Sequence, residues 1–465
     1  MRVVLILFLA AVLAACSTET TPPPAGSPSV RILSPVSGAS LSSQSATVQV
    51  AASDDTGVTR LTYALNGAAE VAVSITPGPA VNASFTVANL RLGSNTIVVT
   101  AYDADGLKGS ASLNIQVNTA SSPIGLPIPS GTTFYVGPGG SNANDGSRER
   151  PWATISYGAS RLKPGQILRV LPGTYNEAVS VAVSGTASQR IVIAADSRWA
   201  AKVNAQGALF GIDVRGSYVD IIGFEVTGAT NSGIISWQPY NRFLYNHVYG
   251  IRAQCDSNGG AGVNMSSPDS SDGVMLGNLV HDIGDLSAGS CTRIHGIYQG
   301  APRGVVQNNI TYRARGFGIT TWHAATAVTI SNNLSFANLY GGISVGSGDN
   351  TRGNRAENFL VANNIVVGNP RGISEENNTG VNRFVANLVW NNTTNWRLQT
   401  SSQQGSLSLD PGFVNFKPDG SGDYTLQSNS PAIDKGIEER APELDFQAKP
   451  RRQGATLDLG PFEVR

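Results

Sequence analysis

Charge is scarce in this chain. Asp, Glu, Lys and Arg make up 14% of its 465 residues, 32 basic side chains balance 32 acidic ones, and no basic run occurs. That balance argues against nucleic acid and against an anionic lipid surface as partners. From Val203 through Phe416 there is no Lys, so a proton-abstracting base in that stretch has to be Arg, His or Tyr. The four His lie apart, without zinc-ligand spacing, which argues against a metal site. Asp269, Asp272, Asp282 and Asp285 are scattered rather than clustered, so no cofactor is required, and calcium stays open with no clear site. The apolar run Val3 to Leu13 is too short to span a bilayer.

Glycine is abundant, at 52 residues, and is joined by Ser, Thr and Asn, a composition that fits an all-β secreted protein with many tight turns. One phrase recurs six times. Asn246, Asn278, Asn309, Asn333, Asn364 and Asn387 each have an apolar residue three positions before: Phe243, Met275, Val306, Ile330, Val361 and Phe384. An aliphatic residue follows most of them directly, with His247 the exception, and Tyr249, His281, Tyr312, Phe336, Val367 or Trp390 comes three after. A second phrase, Gly-Ile or Gly-Val, precedes each Asn, as in Ser232-Gly-Ile and Arg371-Gly-Ile. Two strand-like phrases per turn define a solenoid, whose basic period of 23 or 24 residues alternates with turns carrying inserts of seven to nine. Short β-rich runs broken by Gly and Asn, without helix or leucine-repeat spacing, make it a parallel β-helix. The Asn is assigned to a tight bend because it tolerates the left-handed conformation. Gly223 takes the same place one turn before Asn246. Side chains one and three after the Asn share a face, and their apolar character assigns that face to the interior, with His281 a polar member of an aromatic stack.

Leu13-Ala14-Ala15-Cys16 ends a leader over residues 1–15 and resembles the lipobox of bacterial lipoproteins. The resemblance implies export, lipidation of Cys16, a membrane attachment through lipid alone and, from Ser17, sorting to an outer membrane facing the cell surface. Residues 16–28 read as a Thr/Pro/Ser tether. Residues 29–118 turn to short alternating strands that fit a β-sandwich. Their phrases Ala52-Ser-Asp-Asp-Thr-Gly-Val and Ala101-Tyr-Asp-Ala-Asp-Gly-Leu resemble bacterial Ig-like domains. The Asp pairs there are read as solvated turns. Residues 119–131 are a linker. Phe134-Tyr-Val-Gly-Pro-Gly-Gly and Lys163-Pro-Gly-Gln-Ile-Leu then open residues 132–405, which resemble secreted right-handed parallel β-helix proteins, pectate-lyase-like ones among them. Trp152, Ile155, Ala159 and Leu162 are spaced for one face of a short helix that caps the first coil. Leu409-Asp-Pro-Gly-Phe-Val and Leu457-Asp-Leu-Gly-Pro-Phe-Glu place residues 406–465 beside the choice-of-anchor Q region, expected to close the β-helix. The expected fold class is all-β, an Ig-like β-sandwich followed by a right-handed parallel β-helix solenoid.

If Ile234, Ile297, Ile319 and Ile343 point inward, strand alternation puts Asn264, Tyr298, Thr320, Ser344, Trp237, Trp322 and Glu376 on one outer face. His295, Arg315, His323 and Arg371 lie at its edges. The resemblance implies a monomer acting on polysaccharide, and pectate lyases commonly use Lys or Arg with Asp-bound calcium, a pattern absent here. The catalytic candidates are therefore His295, Tyr298, His323, Arg371 and Arg315, with Trp237, Asn264, Trp322 and Glu376 as substrate-binding candidates. Three readings stay open: a lyase or epimerase of uronate-containing glycans, a non-catalytic glycan-binding or adhesion protein, and a glycoside hydrolase with paired carboxylates. The last is awkward because Glu375 and Glu376 point to opposite faces when extended. With Cys16 assigned to lipid, Cys255 and Cys291 remain, both in inserts of adjacent turns, and export favours a disulfide between them.

Overall fold

Alternating and repeating patterns of this kind can bury apolar side chains only by pairing strands. The computed structural model describes residues 26–41, 45–88, 90, 93–117, 128–256, 258–348, 355–377 and 379–464. Cys16, the leader and most of both linking segments lie outside them. Two units are present, Met1–Ala120 and Ser121–Arg465.

The first unit is a β-sandwich. Strands Ser29–Ser34, Ala46–Val58 and Gly78–Val87 form one antiparallel sheet, and a second is built around Arg60–Leu65, Gly93–Tyr102 and Lys108–Val117. The alternation Ala46, Val48, Val50 faces Leu61, Ile97, Val99, Leu113 and Ile115 across a dry core. Asp54 accepts the Thr56 and Gly57 amides, and Asp103 those of Asp105 and Leu107. Both are turn-forming carboxylates.

The second unit is a parallel β-helix with three strands per coil. Its first sheet has eleven strands and the other two have nine each, every neighbour pair parallel. The helix Ile155–Arg161 caps the first coil, with Thr154 at its N-cap, and buries Trp152, Ile155, Ala159 and Leu162.

The six ladder Asn residues are fully buried and carry the stacking. The first five each donate the side-chain amide to the Asn Oδ1 of the next coil and to a carbonyl of the preceding one, and Asn387 ends the ladder by donating to the Val361 and Val385 carbonyls. Asn333 Nδ2, for instance, lies 2.9 Å from Asn364 Oδ1 and 2.9 Å from Val306 O, while its Oδ1 accepts from Asn309 N and Nδ2 at 2.9 and 3.0 Å. The left-handed residue of each turn is the one before the ladder Asn: Tyr245, Gly277, Asn308, Asn332, Asn363 and Ala386 all have positive φ. The ladder Asn is therefore selected for its amide group, not for tolerance of that conformation. At the head of the ladder the partner is Phe224, whose N–H donates to Asn246 Oδ1 at 3.0 Å, so Gly223 sits one residue before the expected place.

The face carrying positions one and three after each Asn points outward, contrary to expectation. The core of the coils takes the residue between them: Val248, Val280, Val366 and Val389. The outward residues Ile310, Tyr312, Leu334, Phe336, Ile365, Val367 and Leu388 pack instead against Phe413, Tyr424, Leu426, Phe446, Leu459 and Phe462 of the C-terminal region. The last strand of the coils, Gln403–Gln404, pairs with Phe384–Val385; the C-terminal region then bridges to Leu388 through Leu407 and runs back along the flank. The outer Asn of each Asn-Asn pair clips it there: Asn363 Nδ2 donates to Ile437 O at 2.8 Å, and Asn363 Oδ1 accepts from Ile437 N at 2.9 Å. His281 does sit in an aromatic column, stacked with Tyr249 at 5.4 Å and Tyr312 at 4.6 Å.

Replacing Asn333 with Ala strips four buried groups of a partner, and each such loss costs about 1–3 kcal/mol. Chemical denaturation should register a large loss of stability of the β-helix. Replacing Asn363 with Gly, which keeps the left-handed turn, should instead leave the coils intact and speed proteolysis near Ile437. Equal effects from both would contradict this division of labour.

Candidate active site

Parallel stacking turns a repeated strand phrase into columns of side chains. On the outer face of the third sheet one column runs Asn264, Tyr298, Thr320, Ser344 and Ser374 in direct register. A second begins with Ala261, His295 and Phe317. With the inserts that follow the second sheet, these columns floor a cleft of about 550 Å³ lined by Asn264, Arg293, His295, Tyr298, Trp322 and His323, with Glu376 at one end. The expected outer face is therefore assembled.

Tyr298 lies at its centre, its ring 5.2 Å from His295 and 5.6 Å from His323. His295 is 5% exposed. Its Nδ1 accepts weakly from Phe317 N at 3.4 Å, and burial, opposed by a bond to the Thr292 backbone, holds its pKa down to about 3. It is a neutral brace beside Tyr298 and is poorly placed to exchange protons. Gly346 and Gly348 leave room for the Trp322 indole: a Cβ on either would strike it. Asn264 is held by Ser232 Oγ and the Ser266 amide. Glu376 accepts from Arg371 at 3.1 Å and Arg397 at 2.8 Å, and Arg371 also stacks over Tyr340 at 4.4 Å.

Three candidates lie outside the residues lining the cleft, Arg371 among them, held beside it by Glu376. Trp237 donates to Asp213 and packs on Phe210, outside the residues lining the cleft, because its coil precedes the inserts that wall it. Arg315 spends its guanidinium on the carbonyls of Gly289 and Ala288 and so supports an insert without lining the cleft. Glu375 turns inward. Burial alone would raise its pKa, but hydrogen bonds from Ser401, Asn382 and the Gln399 and Thr400 amides bring it below the usual range. Among the described residues no carboxylate pair spans the cleft.

Sequence reasoning missed Arg293 and Thr292 on the wall, and Phe317 and Tyr340 beside the floor. The expected disulfide between Cys255 and Cys291 is formed, with Cα atoms 6.1 Å apart. Because it joins the inserts of adjacent coils, the phrase Cys291-Thr-Arg-Ile-His held the signal for that wall. The acidic residues do not fit a calcium centre: Asp272 pairs with Arg303, Asp282 with Arg313 and His281, and Asp285 with Ser287. Among the described residues no group of three or more His, Cys, Asp or Glu side chains could hold a metal ion.

This architecture matches the Pel9A-like, right-handed beta-helix region over residues 134–406, more than half of the chain, and the chain belongs to that family. Residues 28–101 match the bacterial Ig domain, so the first unit is Ig-like. Pectate lyase L of Dickeya dadantii (strain 3937) is 22% identical over 335 residues, covering 63% of this chain and 73% of that protein. Protein YwoF of Bacillus subtilis (strain 168) is 37% identical over 57 residues, 12% of either chain. The crystal structure of pectate lyase Pel9A aligns at 17% identity and a TM-score of 0.49, covering 73% of this chain and 98% of that one.

His295 makes a pH prediction. Its folded pKa lies below the unfolded value of 6.5, so the unfolded chain takes up the proton first, and stability falls as pH drops from 6.5 towards 3. Between about pH 7 and pH 4.5 His295→Gln should remove about 2–3 kcal/mol of that loss. Denaturation curves of both proteins at the two pH values check it. Parallel losses would refute it.

Proposed function

We propose that the protein acts on a uronate-containing polysaccharide in this cleft, by β-elimination, with Tyr298 exchanging the proton. The observation that carries the reading is the charge in and beside the cleft: among the described residues, Arg293 on its wall, with Arg371 and Arg397 beside it, stands against one lining carboxylate, Glu376, while burial keeps His295 neutral. An anionic polymer fits that surplus, and Trp322 offers a flat apolar platform for a sugar ring. The relative named pectate lyase L and the membership of the Pel9A-like family support the same class of reaction.

In the proposed step Tyr298 enters as the phenolate, its own proton already given to solvent, and its Oη takes the proton from the carbon that bears the carboxylate. The electron pair passes into the carboxylate, where a cation offsets the charge, and then forms the new carbon–carbon double bond as the neighbouring glycosidic C–O bond breaks. The leaving oxygen receives the proton from Tyr298, which ends as it began. Epimerisation would share the first half of this step, with the proton returned to the opposite face. A hydrolase would need a carboxylate pair, and among the described residues the cleft lining holds one carboxylate, Glu376.

The test is to incubate the protein with polygalacturonate, alginate and neutral polysaccharides and to measure unsaturated ends. The expected outcome is unsaturated product from an acidic polymer, lowered about 100-fold or more in Tyr298→Phe. Retention of acidic polymer without any product would transfer the reading to a non-catalytic binder. We also propose attachment at the cell surface through lipid on Cys16, with residues 406–465 as a choice-of-anchor Q-like region. Labelling with a radioactive fatty acid should mark the wild type and leave Cys16→Ser unmarked. Label in both would defeat the anchor.

A further inference from the structure

The cleft has three nearby cations, and two of them are committed. Arg371 and Arg397 both bind Glu376. Among the described residues no carboxylate pairs with Arg293, which is exposed and lines the cleft on the same wall as Thr292. It stands two residues before His295 and five before Tyr298, so the strand that carries the floor also carries this cation to its rim.

The placement of Arg293 depends on two inserts that have no sheet partner of their own. Cys291 is bonded to Cys255 two residues away from it, and the Cys291 amide donates to Arg315 O at 2.8 Å. Arg315 in turn holds Gly289 and Ala288 by their carbonyls. From the other insert, Gly260 N donates to Arg293 O at 2.9 Å, and Arg293 Nη1 donates to Asp256 O at 3.1 Å. Gly259 permits this approach: its φ is +58°, and a Cβ there would meet Arg293 O at 2.3 Å. Both ends of the Arg293 residue are therefore fixed by the insert that starts at Cys255.

We propose that Arg293 is the specificity-determining residue of the cleft, binding the carboxylate of an acidic sugar seated over Tyr298, and that the Cys255–Cys291 disulfide is its positioning device. The proposal rests on the functional reading above. A guanidinium presents a planar fork that can take both carboxylate oxygens, whereas an ammonium meets them as a point charge. Neutral sugars gain nothing from it and depend on Trp322. Opening the disulfide frees the wall, so recognition of the acid should weaken while stacking persists.

The experiment measures binding of galacturonate and mannuronate oligomers, and of a neutral galactose oligomer, by calorimetry. The proteins compared are wild type, Arg293→Gln, Arg293→Lys and the double variant Cys255→Ser, Cys291→Ser, with wild type also measured in dithiothreitol. Loss of a charge-assisted contact predicts about a tenfold or greater drop in affinity for the acidic oligomer in Arg293→Gln, partial recovery in Arg293→Lys, and no change for the neutral one. The double Ser variant and the reduced wild type should show the same selective loss, with unchanged circular dichroism. Wild-type affinity in Arg293→Gln would overturn the assignment of Arg293 while leaving the acidic substrate standing. Wild-type protein that binds no acidic oligomer would sink the functional reading itself. Loss in Arg293→Gln with full affinity in the Cys variants would overturn the positioning role.

Discussion

Everything in the larger unit depends on buried amides that join one coil to the next. A parallel solenoid has to satisfy the backbone groups of its tight turns inside its core, and the ladder Asn residues from Asn246 to Asn364 do so in both directions, the column ending on Asn387. Once that column is in register, every other position is too. Repetition fixes the coordinates of side chains that are far apart in sequence, and the outer face of the third sheet inherits its order from bonds made on the other side of the core.

The asparagine pairs extend this logic outward. In Asn308-Asn309, Asn332-Asn333 and Asn363-Asn364 the second residue enters the ladder, while the first turns left-handed and meets the C-terminal region. Asn308 joins that region through the Leu444 carbonyl and through Arg451, a fully buried guanidinium paired with Glu463. The flank is thereby covered by a segment with little regular structure of its own. The cleft side is left open and walled by inserts, which the Cys255–Cys291 bond ties together.

The periodic part of this organisation was readable in the sequence, because Asn at one position and Gly-Ile at another can recur only if coils stack. The cap helix and the column of Asn264, Tyr298, Thr320 and Ser344 followed from spacing and alternation, and the disulfide from the two cysteines that remain in adjacent inserts once Cys16 is assigned to lipid. The direction of the second sheet did not. Apolar residues one and three after each Asn look like a core, and they are buried, but by the C-terminal region rather than by the coils, and alternation cannot tell one apolar neighbour from another. Arg315 and Trp237 were misplaced for a related reason: position on a strand gives the face, while the partner that takes up a guanidinium or an indole depends on insert conformation. Arg293 was invisible because it sits in an insert, where no period applies.

The most direct test of the account is a crystal structure of the Tyr298→Phe protein with a galacturonate or mannuronate oligomer bound. The account predicts a chain lying along the third sheet, one ring on Trp322 and a carboxylate within hydrogen-bonding reach of Arg293, its sugar carbon facing residue 298. An oligomer bound on another sheet, or in the cleft with its carboxylates turned to solvent, would contradict it.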